Sequence, residues 1–447
     1  MTVKSILDFL HFSHPTNEQT VALKAMESFV QTENPNDFLI LRGAAGTGKT
    51  SITSALIGYL NNLDKSYKIA APTGRAARIL GRKSKTCAST IHSMIYNVIH
   101  DEATESILLE LKNTTDYFPV IYIVDEASMI PKNPNTDDEL FHSLHSLLFD
   151  LICYVKRANA KNKIIFLGDD YQLPPIDEKQ SYALDKEFLE KTFNLNGCTY
   201  QLTEVKRQTD GSYILENAIE IRKAIDENRI KAPISGTQNK NIYEAANKYV
   251  KEINTVGFGN SVAIGVSHKA NKFFNDLVRE RIFKNSRKLL ETNDLLMVTQ
   301  TWNRNGITLY NGDHVTLISA DWTLQEEVAG LHFVAVKIKP ICAQQEEIIE
   351  DLILLESIVS PSGKIDGKLK NELRRQRYIK NPRFRASGSP ADDRYVGALR
   401  LAYGHAITCN KAQGGEWEKV YINTLGIPSL KWQYTAVTRG IKEIEKF

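Results

Sequence analysis

The sequence predicts an α/β protein with two parallel-sheet domains. Three short apolar runs in the first half and two in the second are each followed by glycine-rich, polar or helix-forming residues. Apolar strands that alternate with helical segments are typical of parallel sheets covered by helices on both faces. A chain of 447 residues with 42% hydrophobic and 24% charged residues is long enough for several such folded domains.

The composition sets limits on location and partners. The 56 basic and 53 acidic residues give a net charge of +3, which neither requires nor excludes nucleic acid. Five cysteines without a C-x-x-C pair fit a reducing compartment and argue against a zinc site. The sequence has no run of 18 apolar residues, and its beginning, MTVKSILDFLHF, lacks a cleavage site. We therefore expect a cytoplasmic protein without a membrane span.

The first predicted strand, FLIL at 38–41, leads into a glycine loop that ends in Lys49 and Thr50, and a helical segment follows. In this context the spacing G-x-x-x-x-G-K-T predicts a site for a nucleoside triphosphate and Mg²⁺. Lys49 would contact the β and γ phosphates, and the Thr50 hydroxyl would bind Mg²⁺. The loop amides expected at the phosphates belong to Gly43, Ala45, Gly46, Thr47 and Gly48.

Two further strands end in residues suited to hydrolysis. PVIYIV at 119–124 precedes Asp125 and Glu126, which would bind the metal ion and activate the attacking water, respectively. KIIFLGDD at 163–170 leads into YQLPP, where two prolines would hold Gln172 near the γ-phosphate. Upstream, Gln19 allows two interpretations: a capping box with Thr16, or a hydrogen bond to the adenine edge.

The second half repeats the α/β pattern without a second phosphate loop. SVAIGVSH at 261–268 and EKVYIN at 418–423 predict strands. A nucleotide held between two domains would need cations that reach across to it, and Arg207 in LTEVKRQ and Arg439 in YTAVTRG are the candidates. Arginines in this role contribute roughly 10³- to 10⁵-fold in rate.

Nine segments in order resemble the motif series of superfamily 1 helicases, and most closely the RecD and phage Dda branch, superfamily 1B. They are GAAGTGKT, APTGRAA, STIHS, VDEAS, LGDDYQLPP, LTEVKRQ, VSHKAN, YGHAITCNKAQGGEW and YTAVTRG. The resemblance extends from about residue 15 to residue 441. Two positions depart from the family pattern: Asn410 stands where histidine is usual, and Gly440 where alanine is commoner.

The resemblance implies a monomeric, ATP-driven and Mg²⁺-dependent DNA helicase that moves 5′ to 3′ on single-stranded DNA and opens tailed duplexes. The alternative is a translocase that remodels protein–DNA complexes with little unwinding. Lys49, Glu126, Gln172, Arg207 and Arg439 match the catalytic positions of the family. The positions that match its DNA contacts are Pro72, Thr73, Gly74, Thr90 and His92 in the first domain and Ser267, His268, Thr408, Lys411 and Gln413 in the second.

Two other classes of function compete with a motor. A small-molecule phosphotransferase would leave the second α/β half without a role, and a DNA clamp would not need a full hydrolytic set. Stimulation of ATP turnover by single-stranded DNA separates these classes from a helicase.

The family pattern also predicts the domain boundaries. The first RecA-like domain would comprise 1–92 and 119–185, with a small inserted pin domain at 93–118. The second would comprise 186–285 and 398–447, with an SH3-like β-barrel and a helical hairpin inserted at 286–397. Within the pin, TESILLELKNTTDYFP fits a hairpin or a helix, and we expect Tyr117 and Phe118 to be core residues.

The larger insertion contains hairpin signals, including an Asn311–Gly312 turn, and two segments that suggest helices, QQEEIIEDLILLES and KLKNELRRQRYIK. Between Lys364 and Arg385, nine residues are basic and two are acidic. Two interpretations remain open for this basic segment: a nucleic-acid surface, or a helix paired with the acidic residues Glu346, Glu347, Glu350 and Asp351.

Overall fold

The computed structural model describes residues 4–31, 33–101, 106–134, 141–142, 145–204, 213–284, 286–341 and 347–447. The chain forms two compact units, Met1–Gly211 and Ser212–Phe447. Residues 186–211, which the sequence analysis assigned to the second RecA-like domain, therefore lie in the first unit.

The first unit contains the strands β1 (Phe38–Gly43), β2 (Tyr67–Ala71), β3 (Ala88–Thr90), β4 (Tyr96–Asp101), β5 (Ser106–Leu111), β6 (Ile121–Val124), β7 (Phe141–His142), β8 (Lys163–Gly168) and β9 (Gly197–Leu202). Its helices are α1 (Asn17–Phe29), α2 (Lys49–Asn62), α3 (Gly74–Ser84), α4 (Ile91–Ile95), α5 (Leu147–Ala158) and α6 (Lys186–Phe193).

A six-stranded parallel sheet forms the first unit, with the order β3-β2-β6-β8-β1-β9. The three predicted strands β1, β6 and β8 are its central neighbours, and apolar residues cover both of their faces. One core lies between the sheet and helices α1 and α2, and the other between the sheet and helices α5 and α6. Because all six strands are parallel, the segments that follow β6, β8 and β1 emerge side by side at one edge.

The insertion after α4 is a hairpin, since β4 and β5 pair antiparallel from Tyr96↔Leu111 to Asp101↔Ser106. The prediction that Tyr117 and Phe118 belong to the core is wrong, because their side chains are 88% and 78% exposed. The preceding Asp116 is anchored instead: its carboxylate accepts hydrogen bonds from the Tyr122 hydroxyl at 2.6 Å and from Lys68 Nζ at 2.9 Å. Asp116 is therefore held in place, and the aromatic rings of Tyr117 and Phe118, which follow it, are exposed to solvent.

The second unit contains the helices α7 (Tyr213–Asp226), α8 (Ile242–Val256), α9 (His268–Ile282), α10 (Leu355–Val359), α11 (Gly367–Lys380), α12 (Pro382–Ser387), α13 (Cys409–Ala412) and α14 (Leu430–Val437). Its strands are β10 (Thr237–Gln238), β11 (Ser261–Gly265), β12 (Leu295–Val298), β13 (Trp302–Arg304), β14 (Ile307–Leu309), β15 (His314–Val328), β16 (Leu331–Pro340), β17 (Ile349–Leu354), β18 (Leu401–Tyr403), β19 (Ala406–Thr408), β20 (Trp417–Ile422) and β21 (Gly440–Lys446).

Two five-stranded sheets organise this unit. The order β10-β21-β20-β11-β19 is wholly parallel, which confirms the predicted second α/β sheet. The order β17-β16-β15-β12-β18 is antiparallel and carries most of the inserted segment, with β13 and β14 as a separate hairpin. The predicted α/β class with two parallel sheets and two β insertions is confirmed, whereas an SH3-like barrel stays a prediction.

One of the two helices predicted in the insertion is wrong. Residues 349–354 form β17, because pairing with β16 buries Ile349, Leu352, Ile353 and Leu354 in the sheet, and tertiary pairing overrides the helical propensity of the acidic run. The second prediction is confirmed as α11. No helix in the described part of the chain is long and apolar enough to cross a membrane.

Candidate nucleotide and nucleic-acid sites

The loop between β1 and α2 has the backbone that a phosphate site requires. Gly46 and Gly48 adopt φ of 83° and 88°, in the left-handed region that glycine tolerates best. At Gly43 a Cβ atom would lie 2.8 Å from Thr47 Oγ1, so a larger residue there would displace the loop. Gly48 provides no side-chain cap for α2, which leaves the first-turn amides directed at the loop as donors for an anion.

Lys49 lies folded over this loop. Its Nζ donates hydrogen bonds to the carbonyls of Gly43 and Ala44, the latter at 3.2 Å. A lysine that bonds only to loop carbonyls can exchange them for phosphate oxygens without leaving its place. Together with the uncapped amides of α2, it gives a donor set that fits a polyphosphate.

Asp125 and Glu126 follow β6 directly, next to the phosphate loop. Burial raises the pKa of Asp125, while a hydrogen bond from the Glu126 amide at 2.9 Å and the charges of Lys49 and Lys83 act in the opposite direction. The half-buried Asp125 carboxylate, on which the charge of the loop lysine acts, and the half-buried Thr50 hydroxyl at the start of α2 provide the oxygen ligands that Mg²⁺ prefers. Glu126 has φ of 51°, a left-handed conformation that is uncommon for glutamate.

Gln172 follows β8, the strand that lies between β6, which precedes Asp125, and β1, which precedes the phosphate loop. Its side chain is 4% exposed, and its Nε2 is 3.5 Å from Asp169 Oδ2. No described residue donates a hydrogen bond to its Oε1. A buried acceptor without a donor costs about 1–3 kcal/mol, so the arrangement favours a donor or a bound water supplied from outside the protein.

Gln19 supports the phosphate loop from α1. Its Oε1 accepts a hydrogen bond from the Thr16 amide at 2.9 Å, and Thr16 Oγ1 accepts one from the Gln19 amide at 3.1 Å, which confirms the capping interpretation. Its Nε2 donates to the Thr47 carbonyl at 2.9 Å. The side chain is 1% exposed, and a contact with adenine stays a prediction.

The DNA-contact positions predicted in the first unit come together at the ends of adjacent strands. Thr73, between Pro72 and Gly74, caps α3 by accepting a hydrogen bond from the Ala76 amide at 3.2 Å. Thr90 caps α4, followed by the exposed His92. Ala71 pairs with Thr90 in the β2–β3 ladder, so both caps lie at the carboxyl edge of the sheet.

The predicted positions of the second unit also converge. Ser267 caps α9 by accepting a hydrogen bond from the Ala270 amide at 3.2 Å. Thr408 ends β19, which pairs with β11 through Gly265↔Thr408. His268, Thr408 and Lys411 line one cleft, whereas Gln413 is buried beyond the end of α13.

The two arginines predicted to contact the γ-phosphate are Arg207 and Arg439. Arg207 lies outside the described residues. Arg439 is 6% exposed, and its guanidinium donates hydrogen bonds to the carbonyls of Thr435 and Gly415 at 3.1 and 3.2 Å and to Thr438 Oγ1 at 3.1 Å.

Two cations of the basic segment form ion pairs within the insertion. Arg377 pairs with the buried Asp393 at 2.8 Å, and Arg375 pairs with Glu372 at 2.9 Å. The acidic residues proposed as its partners bind elsewhere: Glu350 pairs with Lys337 and Asp351 with Arg304, at 2.6 and 2.8 Å. Glu346 lies outside the described residues. Arg375 and Arg377 therefore pair with residues other than the acidic run before them.

These features define a P-loop nucleotide-binding unit followed by a second parallel α/β unit, the architecture of superfamily 1 helicases. The family model of the AAA domain matches residues 16–235, and that of the UvrD-like helicase C-terminal domain matches residues 403–443. The resemblance to superfamily 1B helicases of the RecD and Dda branch is thereby confirmed.

Among individual proteins, the chain is similar to the ATP-dependent DNA helicase dda of Enterobacteria phage T4. The two are 28% identical over 302 residues, which cover 63% of each protein. The ATP-dependent RecD2 DNA helicase of Deinococcus radiodurans is 29% identical over 145 residues, or 31% of this chain and 16% of RecD2. The chain thus matches less than two thirds of the length of both curated relatives.

Solved structures of Pif1 helicases share the fold. One is the Bacteroides enzyme in complex with ADP-AlF3 and single-stranded DNA, with a TM-score of 0.51 and 15% identity over 97% of this chain and 92% of that one. A second, from a study of DNA unwinding at forked duplexes, has the same TM-score and coverage with 16% identity.

Proposed function

We propose that the protein is an ATP-dependent DNA helicase that translocates on single-stranded DNA in the 5′ to 3′ direction. The strand order β3-β2-β6-β8-β1 supports this proposal, because it aligns the predicted DNA-contact residues and the predicted hydrolytic residues along one edge of the sheet. Thr90 ends β3 and Thr73 follows β2, Asp125 and Glu126 follow β6, and the phosphate loop follows β1.

The hydrolytic roles follow from the chemistry of each side chain. Lys49 and the loop amides would bind the β and γ phosphates, and Thr50 and Asp125 would bind Mg²⁺, which neutralises charge on the phosphate oxygens. Glu126 would orient and deprotonate the attacking water. Gln172 would donate to the γ-phosphate or the water, with Arg207 and Arg439 stabilising the developing charge.

The DNA track is formed by hydroxyls, helix amino termini and few cations. Such groups bind phosphates without reading bases, as a motor that steps along any sequence requires. Lys83, in the last turn of α3, also acts on Asp125 through its charge. The direction of movement rests on the resemblance to the superfamily 1B pattern.

The test is ATP hydrolysis with and without oligo-dT, for the wild type, Glu126→Gln and the control Glu187→Gln, whose carboxylate lies exposed on α6. Duplexes with a 5′ or a 3′ tail are offered in parallel. We expect strong stimulation by oligo-dT, lost in Glu126→Gln and kept in the control, with displacement of the 5′-tailed duplex alone. Stimulation without displacement would favour a translocase that remodels protein–DNA complexes, and turnover indifferent to DNA would refute the motor.

A further inference from the structure

A cleft in the second unit joins the predicted DNA track to the inserted segment. Its lining includes His268 at the start of α9, Thr408 and Lys411 around α13, and Ser360 and Ser362 from the turn that precedes α11. Among the described residues that line this cleft, which we call the Lys411 cleft, none is Asp or Glu.

Two turns of the insertion converge on Lys411. The first is the Asn311–Gly312 turn, where Lys411 Nζ donates a hydrogen bond to Asn311 Oδ1 at 2.5 Å. Gly312 has φ of 93°, and a Cβ atom there would lie 3.9 Å from the Lys411 carbonyl oxygen, so the backbones approach closely. Lys411 is therefore held by a neutral amide of the insertion, and no ion pair with a described carboxylate neutralises its charge.

The second turn, residues 360–364, is held by contacts with His268 and Thr299 and by one hydrogen bond within the turn. The His268 side chain forms a hydrogen bond with the Pro361 backbone, and Thr299 Oγ1 donates to the Gly363 carbonyl at 3.4 Å. The Lys364 amide donates to Ser362 Oγ at 3.2 Å. Ser360, Pro361 and Ser362 of this turn line the cleft, and the charge of the exposed Lys364 at its end acts on Lys411.

The charges around the cleft repel one another. Burial and the charge of Lys364 together lower the pKa of Lys411 to about 8, and burial, Lys411 and Lys364 lower the pKa of His268. Of the other charged or titratable groups in the lining, Lys272 pairs with Asp276 at 2.9 Å, and burial raises the pKa of Tyr403 well above its usual range. Two facing cations without a carboxylate favour an anion between them.

We propose that Lys364 is a phosphate-binding residue for single-stranded DNA, which grips a backbone phosphate together with Lys411. This inference rests on the proposed function, since it takes the Lys411 cleft as part of the DNA track. It assigns to the insertion a direct contact with DNA, through the turn 360–364 rather than through the face of α11. A DNA phosphate fits better than a free nucleotide because Thr408 and the amino terminus of α9 continue the same row of donors.

A bound phosphate would also raise the pKa of Lys411, because it adds a negative charge next to the ammonium group. Free protein at pH 9 holds Lys411 mostly neutral, so DNA binding at that pH takes up a proton. Affinity for DNA therefore falls as the pH rises through about 8. Without Lys364 the pKa of Lys411 moves back toward its ordinary value, and this pH dependence shrinks.

The experiment measures the affinity of a fluorescent oligo-dT by anisotropy at pH 7 and pH 9 and at several salt concentrations. The variants are Lys364→Ala, Lys364→Arg and the control Lys368→Ala, an exposed lysine in α11 that lies outside the turn 360–364. We expect Lys364→Ala to weaken binding about threefold to tenfold, to reduce the slope of log K against log salt by about 0.7, and to reduce the pH effect, of which the part due to burial of Lys411 remains. Lys364→Arg should restore the affinity.

Equal affinity of Lys364→Ala and Lys368→Ala at both pH values would overturn the inference and leave the proposed function intact. Wild-type protein that fails to bind oligo-dT at either pH would overturn both. Thermal unfolding of each variant identifies any loss of affinity that arises from misfolding. A loss in Lys364→Ala with an unchanged pH dependence would place Lys364 outside the Lys411 cleft and refute the shared phosphate.

Discussion

Gln19 offers a direct test of what the segment before the phosphate loop does. Its side chain makes two buried hydrogen bonds, to the Thr16 amide and the Thr47 carbonyl, both at 2.9 Å. Gln19→Ala removes both and leaves a buried donor and a buried acceptor without their partners. At about 0.5–1.5 kcal/mol for each bond, we expect the free energy of unfolding of the first unit to fall by about 1–3 kcal/mol.

The same bonds predict the kinetic effect. The Gln19–Thr47 bond braces the loop itself, and Gln19 Nε2 lies 2.8 Å from the Cβ position of Gly48. Loss of this hydrogen bond changes the site for the phosphates, and all nucleoside triphosphates have these phosphates in common. Gln19→Ala should therefore lower kcat/KM for ATP and GTP by the same factor, and Gln19→Glu, which keeps the acceptor for the Thr16 amide, should retain part of the stability.

The assay combines urea unfolding with hydrolysis of ATP and GTP, and Lys24→Ala on the exposed face of α1 serves as the control. A variant as stable as Lys24→Ala that loses activity with ATP but not with GTP would refute this reasoning. In that case the side chain reads the adenine edge, and its contact with Thr47 is incidental.

Three further outcomes follow from charged or titratable groups. Glu126→Gln should lower kcat about 10²- to 10⁴-fold with little change in nucleotide affinity, measured by single-turnover hydrolysis and nucleotide titration; unchanged kcat would exclude it as the base. Burial lowers the pKa of His405 to about 3 in the folded protein, whereas the pKa in the unfolded chain is near 6.5. As the pH falls below 6.5, the unfolded state therefore binds a proton that the folded state does not, and folding loses stability. Urea unfolding should show about 2 kcal/mol lost between pH 7 and pH 5, and His405→Phe, which suits the contacts with Tyr249 and Phe258, should remove that loss. Asp294→Ala leaves the Arg279 guanidinium without its buried partner and should cost about 3–5 kcal/mol in urea unfolding of the second unit; a loss below 1 kcal/mol would contradict this.

The sequence predicted the strands and loops that carry chemistry because their signals are local. An apolar run followed by a glycine loop and a helix requires no knowledge of distant residues, and β1, β6, β8 and β11 lie where the pattern placed them. The capping box at Thr16 and Gln19 is equally local. The bond from Gln19 to Thr47, 28 residues away, had no signal in the sequence.

The errors fall where long-range packing decides. Residues 349–354 have a helical composition but pair with β16, and Tyr117 and Phe118 are apolar but follow an anchored Asp116 into solvent. The cations of α11 find Asp393 rather than the acidic run before them. The convergence of two turns on Lys411 was likewise invisible, because residues 311, 364 and 411 are far apart in the chain.

The left-handed backbone of Glu126 has a consequence for stability engineering. A residue other than glycine in that region carries about 1–2 kcal/mol of strain, so Glu126→Gly would relieve strain and recover part of that energy after the entropy cost of glycine. It would also delete the carboxylate proposed to activate water. A screen that ranks variants by melting temperature alone would therefore enrich an inactive protein at this position, and thermostabilised libraries of this chain should hold residue 126 constant.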